Sequence, residues 1–171
     1  MSVLDILVYP DVRLKQVSKS VINFDGSLLD FVKNLEDTLR SEPGAVGIAA
    51  PQVGEFKRIV IVDVSGKPNI RQHGRLVLIN PKMTSQTGTV VGREGCLSVP
   101  DYTGNVKRAK FITLQACDEF GQKQIYDMER YEARAVQHEI DHLDGVLFLD
   151  HLVSRRDLFR RQIPRSSGSK K

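Results

Sequence analysis

Gln137-His138-Glu139-Ile140-Asp141-His142-Leu143-Asp144-Gly145 decides how the rest of the chain is read. His138 and His142 are four positions apart. On a helix their imidazoles therefore leave one face with Cβ atoms ~6 Å apart, close enough to share one metal ion. Glu139 lies beside them, and in H-E-x-x-H helices a carboxylate there takes a proton from water on the metal. A catalytic site of this type has three protein ligands and one open position, so a third ligand has to come from elsewhere.

Downstream, the usual third ligands are missing. The H-E-x-x-H-x-x-G-x-x-H pattern is met at Gly145 but has Phe148 where its last His belongs, and no Glu follows Glu139. The ligand lies upstream, or it is His151 or a downstream Asp. Upstream, Arg93-Glu94-Gly95-Cys96-Leu97-Ser98-Val99-Pro100 offers a thiol between a Gly and a Pro, in a loop of tight backbone. Cys96 is taken as the third ligand. A thiolate and two neutral imidazoles leave a divalent ion at net +1, which acidifies water less than three neutral ligands would and makes Glu139 more necessary.

The 171 residues suit one domain with a core of its own. Two cysteines, the lack of a signal-like start and of a membrane-length apolar run point to a soluble protein of a reducing cytoplasm. Net charge is +4 and uneven: Val153 to Lys171 holds seven basic residues and one acid, while the remainder is slightly acidic. Such an end is either a solvated tail or a surface that docks on nucleic acid. The division expected is 1–164 as one catalytic domain and 165–171 as a basic, disordered tail.

Along the chain, Asp11 is expected to cap a turn through Leu14. Ser27 with Asp30 opens an amphipathic helix that carries Leu28, Val32, Leu35 and Leu39 and stops at Pro43-Gly44. Strands are predicted over Arg58–Val64, Leu76–Asn80, Gly88–Val91, Ala109–Cys117 and Gln122–Asp127, with a hairpin turn at Gly121. The second helix spans Glu129–Asp144 and ends at Gly145. Its two apolar stripes, Ala133/Val136/Ile140/Leu143 and Tyr131/Ala135/His138/His142, lie on nearly opposite sides, so it is buried twice over. Val146–Leu149 reads as an edge strand, Ser154–Ile163 as a third helix, His73 as solvated and Cys117 as core packing.

Three motifs in order, Gly47-Ile48-Ala49-Ala50-Pro51-Gln52, Glu94-Gly95-Cys96-Leu97-Ser98 and Gln137-His138-Glu139-Ile140-Asp141-His142, resemble those of peptide deformylase. The likeness runs from about Ile6 to Leu152, and Ala45 stands where the family usually has Gly. The resemblance implies an α+β fold, antiparallel sheets packed around a central metal-binding helix, here with a C-terminal helix. It implies hydrolysis of the formyl group from the N-terminal formyl-methionine of nascent polypeptides. A metal-bound hydroxide on Cys96, His138 and His142 would attack the formyl carbon, with Glu139 as general base and acid and Gln52 and the Leu97 N–H as oxyanion donors. The peptide is expected along the Gly47 segment, its methionine in a pocket of Val46, Tyr131, Ala135 and His138. Arg108 is expected to pair with Glu94 or the Cys96 loop. Iron(II) is the native ion the family implies; zinc, nickel or cobalt suit the same ligands. The basic C-terminal segment suggests docking near the ribosomal exit, and oligomeric state is left open. Two other readings use the same helix: a metallopeptidase with a different third ligand, and a zinc-stabilised binding module without catalysis.

Overall fold

A computed structural model describes residues 2–162. Its elements run α1 (Gly26–Arg40), β1 (Gly47–Ala49), β2 (Ile59–Asp63), β3 (Arg75–Cys96), β4 (Val99–Cys117), β5 (Lys123–Glu129), α2 (Arg130–Leu143) and β6 (Leu158–Arg160), with short 3-10 turns between. The strands form one antiparallel sheet in the order β1-β2-β3-β4-β5, with β6 added to β4. This is the expected α+β class, with the two-histidine helix at its centre.

Period-2 alternation explains how that helix is held. Val60, Val62, Leu76 and Leu78 face α2 and pack with Val136, Ile140 and Leu143. Ile59, Ile61, Val77 and Ile79 point to the other face and pack on Leu28, Val32, Leu35 and Leu39 of α1. A strand buried on both faces has no polar side to spare, which is why Ile59-Val60-Ile61-Val62 is apolar throughout. Cys96, Val99, Val106, Leu147 and Phe148 form a third apolar group.

Expected elements and observed ones differ at defined places. Leu76–Asn80 and Gly88–Val91 belong to one strand of 22 residues rather than two. Asn80 takes a left-handed backbone (φ 52°) before Pro81, and the pairing of β3 with β4 shifts register there; β3 pairs β2 from Arg75 to Ile79 and β4 at Ile79 and again from Lys82 onward. The cap of α1 is Asp25, whose carboxylate accepts from the Leu28 N–H, and the Ser27 hydroxyl donates to that same carboxylate. Val146–Leu149 is not a strand: the Asp150 carboxylate accepts from the Leu147 N–H at 3.0 Å, and Phe148–His151 closes into a 3-10 turn. The third helix expected over Ser154–Ile163 is replaced by a turn at Arg155–Asp157 and β6. Leu158 and Phe159 point to opposite sides as strand residues do, and the edge of β4 at Tyr102–Gly104 supplies the partner. The tail at 165–171 lies outside the described residues. No helix among them is long and apolar enough to cross a membrane.

Candidate active site

Helix α2 starts after Glu129 and stops where Gly145 takes a positive φ of 72°. A side chain at Gly145 would run into the Lys15 carbonyl, so the first segment of the chain closes over the end of the helix. It is buried on more than the two apolar stripes. Glu132, Arg134, Gln137 and Glu139 are buried as well, and the first three have partners. Glu132 receives the His73 N–H at 2.7 Å and lies 2.6 Å from His73 Nδ1, so His73, exposed as expected, is also paired. Gln137 accepts from the Ala109 N–H and donates to its carbonyl, stitching the helix to β4.

The donor atoms of Cys96, His138 and His142 lie within 4.8 Å of one another, and all three residues are buried. Cys96 Sγ is 3.3 Å from His142 Nε2. Ligand atoms on a tetrahedral ion with ~2.3 Å sulfur and ~2.0 Å nitrogen bonds stand ~3.6 Å apart, so the spacing fits a shared divalent cation. His151 takes no part; its Nε2 lies 3.2 Å from Asp141.

Glu94, two residues before Cys96, ties the group together. Its Oε1 is 2.8 Å from His138 Nδ1. A carboxylate only accepts, so Nδ1 carries a proton towards Glu94 and Nε2 is the nitrogen that is left to face a metal. Arg108 donates to both Glu94 oxygens at 2.9 Å and also to Asp141, and Arg134 Nη1 donates to Glu94 at 2.6 Å. Arg134 further donates to the carbonyls of Val90 and Val106. Burial works against the Glu94 charge, but hydrogen bonds from Arg108 and His138 outweigh it and hold the carboxyl well below the usual range. Burial also opposes charge on His138, whose bonds to Cys96 and Glu94 nevertheless keep its pKa well above the ordinary value. His142 lacks such partners, and burial followed by the charge at His138 takes it well below.

Glu139 differs from Glu94. Burial pushes its carboxyl up to about 7, and its Oε2 has no hydrogen-bond partner among the described residues. It packs on Gly47, where an added Cβ would lie 2.7 Å from Oε1. Gln52, held by its Oε1 accepting from the Ala49 N–H, donates through Nε2 to Ser98 Oγ at 3.1 Å and to Cys96 Sγ at 3.6 Å. The N-terminal segment fixes both loops: the Leu7 N–H donates to the Gln52 carbonyl and the Tyr9 N–H to that of Ser98.

Gln52, Cys96, His138 and Glu139 line a cleft of about 340 Å³ between Glu42–Gly47 on one wall and Gly95–Leu97 on the other, and His142 lies buried behind it. A smaller cavity of about 90 Å³ adjoins it, lined by Val46, Tyr131, Ala135 and His138 among others. The sequence-expected site residues therefore come together. Arg134, Ser98 and Arg161 also lie at the site, and no expectation from sequence assigns them to it.

The family model described as Polypeptide deformylase matches residues 3–157. The chain belongs to that family. A peptide deformylase of Thermodesulfovibrio yellowstonii is 38% identical over 163 residues, covering 95% of this chain and 97% of its own. The crystal structure of a peptide deformylase from Legionella pneumophila has a TM-score of 0.81 at 38% identity, covering 88% of this chain and 86% of that one. That of peptide deformylase from Ehrlichia chaffeensis in complex with actinonin has a TM-score of 0.84 at 37% identity, with 91% of each chain covered. Peptide deformylases are metal-dependent hydrolases, and the Cys96, His138 and His142 group is a site of matching donor chemistry.

Proposed function

We propose the following division of labour for deformylation, the reaction of this family, in which the formyl group of an N-terminal formyl-methionine is hydrolysed from a nascent polypeptide and released as formate. Cys96, His138 and His142 would hold one divalent ion. Bound there, it supplies Lewis acidity that acidifies a water and polarises the formyl carbonyl. Glu139 accepts the proton of the attacking water and passes it to the leaving amine. Its unpartnered oxygen, buried beside the ligands, is free to make both transfers. Gln52 Nε2 and the Leu97 N–H are the donors for the developing oxyanion, a role worth ~3 kcal/mol per donor.

The peptide adds a strand to β1. In an antiparallel ladder bonded pairs alternate. Val46 accepts from Asp63, so the N–H and C=O of Gly47 point away from β2 and towards the cleft. A backbone-bonded peptide is accepted with many sequences. Selection for methionine then falls to Val46, Tyr131, Ala135 and the His138 ring. Iron(II) is our assignment for the native ion, with zinc, nickel and cobalt compatible with the same donors. Residues 1–164 are assigned to one catalytic domain of a cytoplasmic enzyme, and the basic end to docking at the ribosomal exit. Removing residues 154–171 is expected to weaken ribosome binding in a salt-dependent way and to leave short-peptide activity intact; unchanged ribosome affinity would refute the docking.

The observation that carries this reading is the buried Cys-His-His group beside a buried carboxylate with a free oxygen, with Cys96, His138 and Glu139 lining one cleft. Formate release from a short N-formyl-methionyl peptide, abolished by a chelator, is the test. Glu139→Ala is expected to keep its metal and to lose about 10²- to 10⁴-fold in turnover. Cys96→Ala is expected to lose metal; retained metal and activity would favour a metallopeptidase with another third ligand. Unchanged turnover in Glu139→Ala would remove the proton-transfer role.

A further inference from the structure

Deformylation as set out above makes no use of two charged groups of the cleft, Glu42 on the wall leading into β1 and Arg161 on the wall of the Gly95–Leu97 turn. Arg161 is held by a structured segment. β6 pairs with Tyr102–Gly104 of β4, the Arg161 N–H donates to the Asp101 carbonyl at 2.7 Å, and the Arg93 guanidinium lies 3.9 Å over the Phe159 ring. The Arg161 guanidinium rests against the backbone of Gly95, where a methyl group would overlap it, so the glycine next to the Cys96 ligand leaves room for the arginine. Arg161 is exposed and forms no salt bridge with the described residues.

An exposed guanidinium with unused donors, at the rim of a cleft that takes an extended peptide, matches a carboxylate. The reacting carbonyl lies beside Cys96, one residue from Gly95. An extended chain advancing ~3.3 Å per residue passes that wall within the next two residues. We propose that Arg161 is a specificity-determining residue, pairing with an acidic side chain at the second or third position of the formylated polypeptide. This rests on the deformylase reading of the same cleft. Glu42 acts against it from the opposite wall, so Glu42→Gln should strengthen the preference for acidic substrates.

The experiment compares kcat/KM for formyl-methionyl peptides carrying Glu or Gln at the second or the third position, using metal-loaded wild type, Arg161→Gln, Arg161→Glu and Arg161→Lys. Wild type is expected to favour Glu over Gln about three- to fivefold at one of the two positions, as an exposed ion pair allows. The preference should fall in high salt, vanish in Arg161→Gln, reverse in Arg161→Glu and largely persist in Arg161→Lys. Gln peptides should be turned over equally by all four proteins. The proposal is overturned if the Glu-to-Gln ratio is the same in wild type and Arg161→Glu at both positions while Gln peptides release formate normally. Failure of every peptide to release formate would instead remove the deformylase reading, and the specificity proposal with it.

Discussion

Glu94 and Glu36 each hold two arginines, and the two trios differ chiefly in their access to water. Glu94 is 6% exposed, and its partners Arg108 and Arg134 are buried with it. Glu36 receives Arg75 at 2.8 and 3.0 Å and Arg40 at 2.8 Å, but the side chains of those arginines are 39% and 65% exposed. At the surface, water replaces a lost partner. In the interior nothing does, so a buried charge must keep its geometry or be removed with its partners. The trio around Glu94 therefore fixes where the His138 ring points, whereas the trio around Glu36 only fastens α1 to β3.

The largest expected effect comes from Glu94→Ala. It leaves Arg134 without its carboxylate and Arg108 with Asp141 alone, and should cost about 3–5 kcal/mol in a denaturation experiment. Because His138 also loses the acceptor for Nδ1–H, metal affinity in a chelator competition should fall about 10- to 100-fold. A stability loss no greater than that of Glu36→Ala would make the two trios equivalent and refute the contrast.

Next in size is the coupling inside each trio. A double-mutant cycle of Glu94→Gln with Arg134→Met should give an interaction free energy of about 1–3 kcal/mol, whereas Glu36→Gln with Arg75→Met should give under about 1 kcal/mol. Equal couplings would mean that burial does not set the strength of these pairs.

The contrast also marks what can be read from sequence. Cys96, His138, His142, Glu139 and Gln52 are legible because helical spacing fixes two ligands and three motifs supply the rest. The pairing of Arg108 with Glu94 is among the expectations. Arg134 is not, since a cation on a helix ordinarily faces water; its position four before His138 puts it on the ligand face, but only the folded chain brings Glu94 there. His73 is exposed as expected, but its pairing is not legible, since its partner Glu132 is a helical carboxylate that tertiary packing buries. Pro81 and Gly88 interrupt the strand pattern of β3, and their tolerance depends on a register shift against β4 that no local pattern reveals. The segment after Ser154 has a basic, helix-compatible composition, yet the open edge of β4 and the ring of Phe159 beneath Arg93 decide in favour of a strand.

The smallest expected effect is the pH dependence of the surface trio. Hydrogen bonding to Arg75 holds the Glu36 carboxyl down to about 2, against an ordinary value of 4.5. A depressed folded-state pKa means that the native protein binds its proton less readily than the unfolded chain does. The stabilisation is thus fully present above about pH 4.5 and drains away as pH falls towards 2. Solvent screening at the half-exposed arginines limits it to about 1 kcal/mol or less. Denaturation midpoints of wild type and Glu36→Gln should therefore differ by a small constant amount from neutral pH to about 5 and converge below it, with the gap narrowing in high salt. Glu94→Gln should behave differently: because its trio is buried, its gap should respond little to salt. The same salt response in both variants would show that the interior trio is as open to water as the one on the surface.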